Sequence, residues 1–171
     1  MHAEFLVLRL IHILSGIFWI GSGIYAFFFL SPALASTPAV MGQVMAALQR
    51  RRAFTVQQIA AGLVVLSGLR LLMIDSGGFS GSYFATGTGR TFAISGVFAI
   101  IAGVFNFGVA RPIMFRAGAV AASLAASVDA GEKAKLTLEL DRLRKRGTIV
   151  ATLAVSFGIL AASGMAVARY V

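Results

Sequence analysis

One histidine lies inside an apolar run. No Asp, Glu, Lys or Arg occurs between Leu10 and Leu30, and His12 falls within that stretch. An ionisable side chain in such a setting is a candidate for ligation or proton chemistry. A neutral imidazole can bind haem iron or copper through one nitrogen. Ser15, Gly16, Trp19 and Gly23 follow at i+3, i+4, i+7 and i+11, on the same helix face as His12. The glycines would let a flat macrocycle approach the backbone. The alternative use of His12 is a structural hydrogen bond to a neighbouring helix. A b-type haem with two histidine ligands needs a second buried histidine, and the other histidine is His2 at the start of the chain. Single-histidine ligation, or a ligand from another chain, stays open on the residues alone.

Arg70 is the second candidate. It stands about one turn inside an apolar segment, with Asp75 beyond it. It can snorkel outward, pair with Asp75, or hold an anionic group such as a haem propionate. Met41 and Met45 are four residues apart. Thioethers suit copper(I), but two methionines on an amphipathic face read first as hydrophobic contacts. Cysteine is absent, which excludes disulfides, thiolate zinc sites, iron–sulfur clusters and c-type haem attachment. No nucleotide loop, zinc motif or nucleophile–base pair is present. The metal candidate is His12, and the cofactor candidates are His12, Trp19 and Arg70. Haem b or copper would be the group, though nothing in the residues requires either.

The elements that position these residues are apolar. Of 171 residues, 58% are apolar and 12% charged, about half the charge of a soluble domain. Four segments reach the roughly 20 residues that cross a bilayer. They run from about 5 to 30, 53 to 74, 91 to 110 and 147 to 168. Lipid satisfies no backbone group, so each must be a helix. The fold class predicted is all-α, a four-helix membrane bundle in one domain with cytoplasmic helical extensions. Ser31-Pro32 is read as the stop of the first span, and Arg90 and Arg111-Pro112 bound the third.

Lys and Arg number 15 against 6 Asp and Glu, a net charge of +9. Eleven of the basic residues lie in the first and third connections, and four on the other side. The positive-inside rule places those connections in the cytoplasm and both termini outside, as in a bacterial inner membrane. This topology accounts for the charge without nucleic acid. Thr37-Pro38 predicts an N-cap and the start of an amphipathic helix over 38–52, leading to Arg50, Arg51 and Arg52. Asp75 to Gly89 is rich in Gly and Ser and reads as an irregular loop. Its Phe79, Tyr83 and Phe84 are interface anchors, or docking points for another subunit. Segment 111–146 predicts an antiparallel helical hairpin turning near Asp129-Ala130-Gly131.

Small residues at helical spacing predict close packing. They are Gly16 and Gly23 on the first helix, Ser95, Ala99 and Gly103 on the third, and Ala154, Gly158 and Ala162 on the fourth.

His12 to Gly21 reads H-x6-W-x-G, followed by an aromatic run and Ser31-Pro32-Ala33-Leu34. With the arginine patch and Leu66-Ser67-Gly68-Leu69, this resembles CopD-like copper-resistance membrane domains over the first 75 residues. It is more distantly similar to HemJ-type protoporphyrinogen oxidase. The resemblance implies a polytopic bundle, with copper transport in one branch and haem-dependent oxidation in another, and His12 as the ligand.

Two functions are expected. The first is a non-catalytic accessory or scaffold subunit of a larger membrane assembly, respiratory or photosynthetic, with membrane-protein partners or further copies of itself. The second is a CopD-like haem or copper protein centred on His12.

Overall fold

Long uncharged stretches without a strand-like alternation satisfy their backbone groups most simply as helices. The computed structural model describes residues 2–171 and is 92% helical, with no strand among them. We number six helices: α1 (His2–Ser36), α2 (Pro38–Arg50), α3 (Ala53–Asp75), α4 (Gly81–Phe84), α5 (Gly87–Ala126) and α6 (Ala130–Tyr170). Of these, α1, α3, α5 and α6 are long and apolar enough to cross a membrane. At 1.5 Å per residue, α5 and α6 are each about 60 Å long, twice a hydrocarbon core of roughly 30 Å.

The two prolines do not end their helices. A π-helical segment, Ala26–Leu30, precedes Pro32, and another, Val104–Ala110, precedes Pro112. The Ser31 N–H donates to the Ala26 carbonyl and the Arg111 N–H to Asn106, each five residues back. Each proline then falls in the first turn of the next α segment, where a missing N–H is tolerated. The ladder slips by one residue, and the helix continues.

The bundle is two pairs. Helix α1 packs mainly on α3, and α5 mainly on α6. The pairs meet around Trp19, Ala60, Ala61, Val64, Ala99, Ala102 and Ala161. Alanine dominates because close backbone approach drives association where lipid is as apolar as the side chains. Ser95 and Ala99 are buried, and Gly103 lies under the Trp19 ring. A Cβ added at Gly16 would touch Val64, one at Gly158 would meet Ile20, and Gly23 faces open space. On α6 the inward positions shift. Ala154 is half-buried and Gly158 buried, but Ala162 is exposed and Ala161 takes the core place. A spacing of four overshoots 3.6 residues per turn, so the next inward residue after Gly158 comes at i+3.

The polar halves of α5 and α6 continue as a hairpin around Val120, Leu140 and Leu143. It turns at Ser127, Val128 and Asp129, and the Asp129 carboxylate accepts the Glu132 N–H at 2.7 Å to cap α6. Thr37 behaves differently from an N-cap. Its hydroxyl donates back to the Ala33 carbonyl at 2.8 Å, closing α1 rather than opening α2. Arg52 turns the chain into α3 with φ of 55°.

The Gly-rich loop is more ordered than its composition predicts. Gly77, Gly78 and Phe79 have positive φ, and the Ser76 hydroxyl accepts the Phe79 N–H at 2.7 Å. Helix α4 follows, with Tyr83 edge-on to Phe84. A side chain at Gly89 would overlap the Tyr83 carbonyl, so α4 can lie on the start of α5 only because residue 89 has none.

Candidate functional site

His12 is carried on α1 and faces α3. Its Nδ1 donates to the Val64 carbonyl at 2.9 Å and lies 3.3 Å from the Ser67 hydroxyl. That hydroxyl itself donates to the Leu63 carbonyl, which leaves an oxygen lone pair facing the imidazole. A carbonyl only accepts, so the proton of the neutral ring is on Nδ1. The ring reaches the α3 backbone because residue 68 is glycine. A Cβ there would stand 2.7 Å from His12 Cε1 and 3.1 Å from Nδ1.

With Nδ1 committed, the neutral Nε2 presents a lone pair, and it lies 3.5 Å from Met165 Sδ on α6. Two Lewis bases thus face each other between helices. At 3.5 Å the nitrogen and the sulfur are near enough for both to hold one ion, which would receive one imidazole and one thioether ligand. A nitrogen and a thioether in this relation suit a soft first-row ion, copper(I) above all. They do not suit haem. A planar macrocycle would have to pass between Nε2 and the Met165 sulfur, which stands 3.5 Å from it on the face that Nε2 offers.

The other candidate residues lie apart. Trp19 is seven residues from His12, about 10 Å along α1. It is 3% exposed and stacks on Phe107, with ring centroids 6.3 Å apart. It floors a lateral apolar cleft of about 670 Å³ between α3 and α5, lined also by Gln58, Gly62 and Gly103. Arg70 reaches α1, not Asp75. Its Nε and Nη2 donate to Glu4 Oε1 at 2.9 and 2.6 Å, in an exposed pair. Gln57 adds a third polar link, donating to the Ser22 hydroxyl at 3.2 Å. Tyr83 and Phe84 meet edge-on on α4 and are half-buried, and Phe79 in the loop before them is exposed.

Met165 is the site residue that reading the sequence misses. Its only signal is a methionine on the fourth apolar segment, and nothing local joins residue 165 to residue 12. No family model matches the chain, and neither a curated protein nor a solved structure matches it.

Proposed function

We propose that the protein is a membrane-embedded copper(I)-binding protein whose ion is held by His12 Nε2 and Met165 Sδ. The observation that carries this reading is the 3.5 Å approach of those two atoms, with Nδ1 tied back to Val64. A backbone carbonyl that orients a ligating imidazole is a common outer-shell device. Thioether ligation favours the reduced ion. The resemblance to CopD-like domains points the same way. In this reading the chain lies in a bacterial inner membrane, its basic end in the cytoplasm and both termini outside. His12 then sits in the outer half of the bilayer.

Copper(I) titration of the purified chain against a chromogenic chelator tests the proposal. One ion per chain is expected, with nitrogen and sulfur in its X-ray absorption spectrum. Met165→Leu conserves volume and is expected to weaken binding at least about tenfold. No bound copper, or unchanged affinity in Met165→Leu, overturns the reading.

The cleft beside Trp19 favours a second reading, an accessory subunit seated in a larger membrane assembly. Open glycine at position 62 leaves room there for a partner's helix. Purification in mild detergent should then yield a defined complex, and a monodisperse lone chain counts against it.

A further inference from the structure

Below the apolar half of the bundle, α5 and α6 enclose a basic cleft of about 470 Å³. Its charged lining is Arg116 from α5 with Lys135, Glu139, Arg142 and Arg146 from α6. The α6 residues recur at i, i+4, i+7 and i+11, so one face of that helix supplies them. Four cations therefore surround one carboxylate. Arg116 takes that carboxylate, donating from Nε and Nη2 to Glu139 Oε1 at 3.1 and 2.6 Å. Among the described residues, Arg142 and Arg146 have no carboxylate within ion-pair distance.

The height of the cleft on α6 bears on which anion would suit it. Arg146 immediately precedes the uncharged run that begins at Gly147, and Arg142 is one turn further out. The two guanidinium groups therefore lie at the level where an apolar helix leaves the hydrocarbon and meets the headgroups. Leu138 and Leu143 line the same cleft and supply apolar contact beside the charges. Guanidinium forks match phosphate oxygens in charge and geometry. Basic clefts between helices at this depth are suited to lipid headgroups.

We propose that this cleft binds the phosphate of an anionic glycerophospholipid, with Arg142 and Arg146 as its main ligands and Arg116 as the fixed wall. The shared chemistry is a phosphate oxyanion, and the lipid rather than soluble phosphate is its source.

Native mass spectrometry of the full chain tests this, with phosphatidylglycerol and phosphatidylcholine of matched acyl chains as probes. The intact chain should retain one phosphatidylglycerol about tenfold in preference. R142Q/R146Q should lose that preference, and K133Q/R144Q, which removes the same charge outside the cleft, should keep it. Both arginines are exposed, so folding does not depend on them; R142Q alone should give an intermediate loss. Equal loss in the two double variants would overturn the site in favour of diffuse charge. Absence of any preference would overturn it outright. Displacement of the lipid by millimolar inorganic phosphate would overturn the lipid as source.

Discussion

The two helix pairs hold together by different physics. Between α1 and α3, three polar links, His12 to Val64, Gln57 to Ser22 and Arg70 to Glu4, stand beside the close approaches at Gly16 and Gly68. Between α5 and α6, within the apolar half, the specific contacts are steric. Gly164 faces Ser95, Ala99 and Ala161 lie in the shared core, and Phe98 packs on Phe157. A hydrogen bond across helices in lipid contributes only about 0.6–1 kcal/mol, so polar links tune register more than they supply cohesion. Close packing adds up many small dispersion gains and fails abruptly when a single atom is added. The first pair should therefore tolerate substitution and lose geometry, and the second should lose stability.

The largest effect expected is at Gly164→Val. Its Cβ would overlap the Ser95 side chain, at a cost of about 3 kcal/mol in detergent unfolding. Pairing it with Ser95→Gly should recover part of that loss, and strict additivity of the two would break the steric account. Gly68→Ala comes next. It puts a methyl 2.7 Å from His12 Cε1 and should cost about 1–2 kcal/mol. The proposed copper(I) binding should be lost with it while far-ultraviolet dichroism stays helical, so binding unchanged in Gly68→Ala would show that the ring does not need the glycine.

His12→Phe keeps bulk against α3 and removes the bond to Val64. It should cost about 1 kcal/mol or less, measured as a shift in thermal midpoint, and a much larger loss would make the polar pair the dominant one. Glu4→Gln should cost less than about 1 kcal/mol, because the pair with Arg70 is exposed, and added salt should erase the difference. The smallest effect is at the loop end. Burial, aided by the Asp75 carboxylate and opposed by Arg169, pushes the Tyr83 phenol above its ordinary 10.0. A raised value means that the fold favours the protonated phenol. That contribution is intact below pH 10 and is lost as the pH rises through the raised value. Phenolate absorbance in Tyr83→Phe against the intact chain reads this directly, and a Tyr83 that ionises at or below 10.0 would show that burial at the loop end does not protect the phenol.

The four long helices were legible in the residues because composition alone forces the choice. A run with too few charges to dissolve and too few polar side chains to satisfy its backbone must bond internally, wherever it lies. The hairpin turn was legible within two residues, expected near Asp129-Ala130-Gly131 and found at Ser127, Val128 and Asp129, whereas the Asp129 cap on Glu132 came only from the structure. Pro32 was misread for the opposite reason. Residue-level preference ends a helix before Pro32, but a π segment shifts the hydrogen bonds by one residue, and that slip leaves no mark in spacing.

His12 could be singled out from its neighbours on one helix, but what it does depends on residues 52 to 153 positions away in the chain. Periodicity reports which face of a helix is apolar and does not report which helix will lie against it. Pairing is decided by the summed fit of many weak contacts, with Gly68, Gly158 and Gly164 setting the distances. Only that assembly brought an apolar histidine and an undistinguished methionine to 3.5 Å of each other.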